Sequence, residues 1–273
     1  MIILGDIGNT ETKICLVNSN YKIIKKILLP SKRKKIAKLN KYFKGFEFSK
    51  VNKILFCSVV PSTFKELKNY FSNKTKIKCF ELKELNLRSI LKIDVNYKQV
   101  GSDRLANALS VSTKNKNFII LDFGTATTFD VLIGNNYKGG IISPGIKISL
   151  NTLSDKASLI PKINLKKMSK VIGKDTKSAV RSGFFWGYAG LIDNIINLIK
   201  KDTKSAVRSG FFWGYAGLID NVINLIKKDT KRSFNVIITG GFSKLFKSSI
   251  KTKAKQDIDI TINGLIRASK LIK

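Results

Sequence analysis

The chain has 273 residues, enough for one large domain or two of ordinary size with real cores, which excludes a disulfide-stapled miniature. Its formal net charge of +33 comes from 51 Lys and Arg against 18 Asp and Glu, but only seven of the basic residues are arginine and the lysines run along the whole chain. That argues against specific nucleic-acid recognition, which uses bidentate guanidinium contacts, and leaves nonspecific, salt-sensitive adhesion to polyanions. Histidine is absent, so histidine triads and histidine metal sites are excluded and any proton transfer falls to a carboxylate, lysine, tyrosine, cysteine or water.

The first half reads as strands over 2–6, 13–18 and 21–29, a lysine-rich helix over 32–42, a strand over 53–59, a helix over 61–71, a strand over 76–80 and a helix from about Ser102. The second half repeats the opening with strands over 118–122, 128–134 and 137–142. Two helical segments, a strand over 235–239 and further helices complete it. These patterns predict an α/β chain of two related domains, 1–115 and 116–273, each beginning with three consecutive strands. The odd set Cys15, Cys57 and Cys79 lies in or beside apolar runs without CxxC spacing, as reduced core residues would. No basic and apolar leader precedes Gly5-Asp6, and the most apolar stretch, 183–199, is broken by Asp193, Asn194 and Asn197. It falls short of the roughly 20 residues a bilayer requires, so we expect a cytoplasmic protein without a membrane span.

Four segments carry chemistry. Asp6, Ile7, Gly8, Asn9, Thr10, Glu11, Thr12 and Lys13 follow the first strand: the glycine lets backbone N–H groups approach phosphate oxygens, and Asp6 can face the divalent ion that accompanies ATP. A plain hairpin with polar turn residues would read the same. Residues 122–128, Asp-Phe-Gly-Thr-Ala-Thr-Thr, stand in the matching place of the second half, with small residues and hydroxyls where bulk would block a phosphate. Thr239-Gly240-Gly241 after a strand allows close ligand approach, as an ordinary strand-to-helix turn also would. Gly101-Ser102-Asp103-Arg104 opens a helix, so Asp103 is either a helix cap or a base for a substrate hydroxyl, with Arg104 a solvated charge or an anion contact.

Residues 175–201 recur as 202–228 with Ile195 against Val222 as the single difference, and Lys-Asp-Thr-Lys flanks each unit. Two units do not make a solenoid, and the direct repeat has the form of a recent duplication. Each copy reads as a helix with Ala179, Gly183, Gly187 and Leu191 on one stripe and Phe184, Tyr188, Leu191 and Ile195 on the next.

Taken together, DIGNTETK at 6–13, SVVP at 58–61, GSDR at 101–104, DFGTATT at 122–128, PG at 144–145 and TGG at 239–241 resemble the type III pantothenate kinases of the acetate and sugar kinase, Hsp70 and actin superfamily. The resemblance implies two ribonuclease-H-like, actin-like domains with a nucleotide cleft between them. It implies ATP-dependent phosphorylation of pantothenate, the first step toward coenzyme A, with Mg²⁺ and a monovalent cation, K⁺ or NH₄⁺. By motif, residues 6–13, Thr125, Gly240 and Gly241 would bind ATP, Gly101, Ser102, Asp103 and Arg104 would bind pantothenate, and Asp103 would accept the proton. Asp122 would hold the monovalent cation and Asp6 the divalent one. A family threonine that contacts substrate matches Thr176, with Thr203 as its copy in the repeat. A homodimer is implied as well. The segment Tyr97-Lys98-Gln99-Val100 lacks the proline the family carries before GxDR. A sugar or carboxylic-acid kinase of the same superfamily, and a degraded homologue acting as a regulatory or nucleic-acid-binding factor, are the competing readings.

Overall fold

An apolar, β-branched run opens the chain as β1 (Ile2–Ile7), and it is buried along nearly its whole length because a strand flanks it on each side. The computed structural model describes residues 1–31, 39–169, 172–199, 233–241, 243–244 and 253–272. These fall into two compact units, Met1–Ser112 with Asp259–Lys273, and Thr113–Ile258.

In the first unit β1 pairs antiparallel with β2 (Glu11–Val17), which pairs antiparallel with β3 (Ile23–Pro30). On its other side β1 runs parallel to β4 (Lys53–Ser58), and β4 runs parallel to β5 (Cys79–Glu81), giving the order β3-β2-β1-β4-β5. Of the helix expected over 32–42, α1 (Leu39–Tyr42) is seen and the rest lies outside the described residues. Helix α2 (Pro61–Thr75) starts on a proline, whose missing N–H is no loss at that position, and ends where Lys76 turns left-handed at φ 58°. It therefore runs four residues past the expected Phe71. Phe43, Phe56, Tyr70 and Phe71 form the aromatic centre of this unit's core. A two-residue strand, β6 (Lys92–Ile93), precedes α3 (Ser102–Val111), the helix that carries the GSDR residues.

The second unit repeats the plan with β7 (Asn117–Phe123), β8 (Ala126–Ile133) and β9 (Asn136–Pro144), then α4 (Ile146–Lys156) and α5 (Thr176–Ile199). Strand β10 (Asn235–Gly240) lies parallel to β7, and β11 (Ala254–Gln256) lies parallel to β10. The order β11-β10-β7-β8-β9 is that of the first unit strand for strand. The first repeat copy, as α5, fills this unit's core with Phe185, Tyr188, Leu191, Ile192, Ile195, Ile196 and Ile199 against Ile119, Leu121 and Ile238. Of the two expected stripes, Ala179 and Gly183 are exposed and only Leu191 of theirs is buried, whereas Tyr188, Leu191 and Ile195 of the other are buried and Phe185 lies deeper than the expected Phe184. The second copy, 202–228, lies outside the described residues.

One boundary differs from the expected division at 115/116. The chain returns to the first unit at Asp259, and α6 (Ile260–Ser269) packs there along α3, with Gly264 so close to Ala106 that a Cβ would collide with its carbonyl oxygen. Contact at that distance requires two small residues, a pairing invisible in either segment alone. Lys53 Nζ also donates to the Ser269 carbonyl at 3.4 Å and to the Ile272 carbonyl at 2.8 Å. All three cysteines are free and buried, in β2, β4 and β5. Among the described residues no helix is long and apolar enough to cross a membrane.

Candidate active site

The β1–β2 hairpin closes through a hydrogen bond from Gly8 N to Glu11 O at 3.1 Å. That uses the glycine N–H and leaves Asn9, Thr10 and Glu11 exposed at the tip. Ile7 is buried, with its carbonyl accepting from Val59 N at 3.0 Å. Thr12 is turned inward and buried, its hydroxyl sharing a 2.9 Å hydrogen bond with that of Ser31. Lys13, opposite Asp6 in the ladder, has its Nζ 3.9 Å from Asp259, which Lys26 engages more closely at 2.6 Å.

The end of β4 meets the start of α3 through reciprocal bonds: Ser58 N donates to Ser102 Oγ at 2.8 Å, and Ser102 Oγ donates to Ser58 O at 2.9 Å. Glu81 Oε1 also accepts from Ser58 N at 3.3 Å. Ser102 is therefore the pin that joins the SVVP and GSDR segments, and its hydroxyl is buried. Gly101 occupies the N-cap position, and Arg104 is half-buried on the first turn. From the second position of a helix whose N-cap is Gly101, Asp103 accepts at Oδ1 from Arg104 N at 2.8 Å.

Asp6 and Asp103 interact electrostatically within this unit. Enclosure of the Asp6 carboxyl, then the charge of Asp103, push its pKa up to about 6, partly offset by Lys13 and by the Cys57 thiol, which donates to Asp6 Oδ1 at 3.6 Å. Burial likewise raises Asp103, against the opposing pull of the Arg104 N–H and guanidinium. Two carboxylates held at raised pKa suit one cation and one base. Among the described residues no group of three or more Cys, Asp or Glu converges on a point, so a divalent ion here would complete its shell with water and phosphate oxygens. That fits the way Mg²⁺ travels with a nucleotide.

In the second unit the hairpin is shorter by one residue, closing from Gly124 N to Ala126 O at 3.0 Å with Thr125 exposed at its tip. The Thr125 carbonyl lies where a Cβ on Gly145 would stand, so the PG segment backs this hairpin. Asp122 is flanked in the ladder by Thr128 on one side and Thr239 on the other. Gly240 has φ +84°, and a Cβ there would come within 2.6 Å of Asp122 Oδ1, so only glycine brings the TGG backbone this near the carboxylate. Gly241 is exposed beside it.

Thr176 is exposed on the first turn of α5. The turn is set by Asp175, whose Oδ1 accepts from Ser178 N at 2.9 Å while Asp175 N donates to Ser178 Oγ at 3.1 Å. Gly173 lies against this turn, where a Cβ would collide with the Ala179 backbone. The position 27 residues on is Lys200, and Thr203 lies outside the described residues. Tyr188 of α5 donates to Ser149 Oγ at 2.8 Å and to Pro144 O at 3.3 Å, tying the helix to the PG segment. Tyr97 spends its hydroxyl on the Lys83 carbonyl at 3.3 Å. Cys57, Glu81 and Asp259 are neighbours of the site that the motifs did not flag. Asp259 had a usable signal, a carboxylate just before an apolar helical run, whereas Cys57 and Glu81 join only through strand pairing.

The family profile of type III pantothenate kinase matches residues 2–198. A type III pantothenate kinase of Pelagibacter ubique is 59% identical over 275 residues, covering 100% of this chain and 100% of that relative. Another, of Maricaulis maris, is 32% identical over 230 residues, 83% of this chain and 78% of the relative. Among solved structures, the ethanolamine utilization protein EutJ of Carboxydothermus hydrogenoformans superposes with a TM-score of 0.50 at 12% identity, over 97% of this chain and 88% of that one. This last likeness concerns the fold alone, two ribonuclease-H-like units of the actin-like kind.

Proposed function

The chain belongs to the type III pantothenate kinases, and from that premise we propose which of its residues carry out the transfer. The reaction is phosphorylation of pantothenate by ATP with a divalent metal, which sets aside the sugar-kinase and degraded-homologue readings. Asp103 accepts the proton of the pantothenate hydroxyl as its oxygen attacks the γ-phosphorus. ADP leaves and 4′-phosphopantothenate forms. A raised pKa makes Asp103 a better base than an exposed aspartate, and Arg104 on the same turn offers a guanidinium to the substrate's anionic end. Asp6 would hold Mg²⁺, which when bound draws charge from the phosphate oxygens, and Lys13 with the outward groups of Asn9 and Thr10 binds the phosphates.

The observation that carries this reading is the pair of raised carboxylates, Asp6 on β1 and Asp103 on α3, two elements each held to β4, the first through the ladder and the second through Ser58 and Ser102. Asp103→Asn tests it: turnover should fall by roughly 10²-fold or more, the range of a positioned base, while ATP binding persists. Turnover within a few-fold of the parent would reduce Asp103 to a helix cap.

For the second unit we assign Thr125, Gly240 and Gly241 to the nucleotide and Asp122 to K⁺ or NH₄⁺. The flanking hydroxyl residues Thr128 and Thr239 support this, because an oxygen-rich surrounding with one negative charge suits a monovalent cation. Thr176 is assigned to pantothenate in preference to Thr203. Its support is Gly173, which Lys200 cannot replace, and a family match that ends at residue 198, before the second copy begins. A cytoplasmic homodimer completes the proposal.

A further inference from the structure

Asp103 folds its carboxylate back over the start of α3, where the open N–H groups of the first turn attract it: Oδ1 accepts from Arg104 N at 2.8 Å, and its own backbone N–H adds to the pull. In that posture the carboxylate lies against the bare Cα of Gly101. A Cβ on Gly101 would stand 2.4 Å from Asp103 Oδ1 and 3.5 Å from its Cγ, while the next neighbour, Val59 Cγ1, is at an ordinary 3.7 Å. The backbone does not ask for glycine here, since φ −61° and ψ 141° are open to any residue. Nor does the packing. At Gly145, Gly173 and Gly264 a Cβ would run into backbone, which cannot yield, whereas at Gly101 it would meet only the end of a side chain, which can turn. Gly101 and Asp103 are both half-buried, so the carboxylate has room to do so. Relief from 2.4 Å to an ordinary contact of about 3.4 Å carries Oδ1 by about 1 Å, a misplacement that costs on the order of 10²-fold in rate.

We propose that Gly101 is a positioning residue for the phosphoryl transfer: its missing side chain is the space that holds the Asp103 carboxylate where the substrate hydroxyl gives up its proton. The proposal rests on the reading of Asp103 as proton acceptor. It differs from a substrate contact, because Gly101 acts through the carboxylate and needs no bond of its own to pantothenate. A side chain at 101 displaces the base and leaves the helix in place.

The full chain carrying Gly101→Ala is the test. Alanine is a poorer N-cap than glycine but also narrows the unfolded ensemble, two opposed effects that should leave the melting temperature within about 4 °C of the parent. The kcat should fall by about 10²-fold, with the KM for ATP within about two-fold. Gly101→Ser brings the same Cβ with a favoured capping hydroxyl, so it should be at least as stable as Gly101→Ala and lose kcat to the same order. In an Asp103→Asn background, where no base is left to displace, adding Gly101→Ala should change kcat by less than about two-fold. Parental kcat in a folded Gly101→Ala would overturn the proposal. So would recovery of kcat in Gly101→Ser, which makes the effect one of helix capping, or a raised KM for pantothenate at unchanged kcat, which makes Gly101 a substrate contact. A further large loss in the Asp103→Asn background would reveal a route other than the carboxylate, and failure of both single variants to fold would show that the packing cannot take a Cβ at 101; either result also overturns it. Asp103→Asn alone tells the two readings apart. A live Asp103→Asn removes the base itself, whereas a dead one beside a fully active Gly101→Ala removes only the positioning role.

Discussion

Across the first sheet, one row of paired residues runs Cys57, Asp6, Lys13; across the second, the row at the same place runs Thr239, Asp122, Thr128. Strand order and the central aspartate are shared, and the flanking chemistry is not. In the first unit burial and then the charge of Asp103 lift the carboxylate's pKa to about 6, against the opposing pull of the Lys13 ammonium and the Cys57 thiol. In the second it sits between two threonines. One backbone plan thus yields a strongly coupled charged site and an oxygen-lined one, because the plan fixes only where a side chain points and its neighbours decide what it can do.

The largest test of that contrast is Asp6→Asn. A carboxyl raised from 3.8 to about 6 loses its proton in the unfolded chain first, so as pH rises from about 4 to 6 the folded state loses stability and stays at the lower level above 6. Asn, which never ionises, should therefore unfold at higher denaturant than the parent at pH 8, by about 1–3 kcal/mol, and match it near pH 4. Activity should be lost in the same variant. A parent whose denaturant midpoint is flat between pH 4 and 6 would mean that Asp6 is not held in this way. Next in size is the salt requirement assigned to the second row: activity should need K⁺ or NH₄⁺ and fall sharply in Na⁺ alone, and Asp122→Asn should abolish the difference. Equal rates in all three salts at matched ionic strength would break the assignment.

Smaller effects sharpen the place of the repeat. Thr176→Ala should raise the KM for pantothenate several-fold, in keeping with one lost hydrogen bond of about 1 kcal/mol, and Thr203→Ala should leave it unchanged. The reverse order would put the second copy in the functional place. Smallest of all is the comparison of two deletions. Removing residues 175–201 or 202–228 leaves chains that differ only by Ile or Val at position 195, a fully buried core residue. Both should retain activity, and their stabilities should differ by about 0.5–1.5 kcal/mol, the cost of one buried methylene.

Much of this was legible in the sequence where a local signal sufficed. The two hairpins, the doubled three-strand opening and the helix start at Ser102 follow from apolar runs punctuated by Asp and Gly. Strand β11 was not legible, because Ala254-Lys255-Gln256 carries no β-branched residue and becomes a strand only by pairing with β10. The return of α6 to the first unit depends on Gly264 meeting Ala106 across more than 150 residues of chain. The partners of two motif hydroxyls were illegible for a related reason: the bonds of Thr12 to Ser31 and of Ser102 to Ser58 cross between segments distant in sequence.

The buried cysteines carry a last consequence. Burial pushes Cys15 up to about 11, Cys79 up to about 12 and Cys57 well above its ordinary range, so none offers a thiolate to a reagent while its strand is in place. All three belong to the first unit, and Trp186, on α5, belongs to the second. The chain is thus furnished with two native reporters that do not overlap. Alkylation of the thiols in rising denaturant follows the opening of the first unit, and the fluorescence of Trp186 follows the second. Whether they melt together or in sequence can be read without adding a single probe.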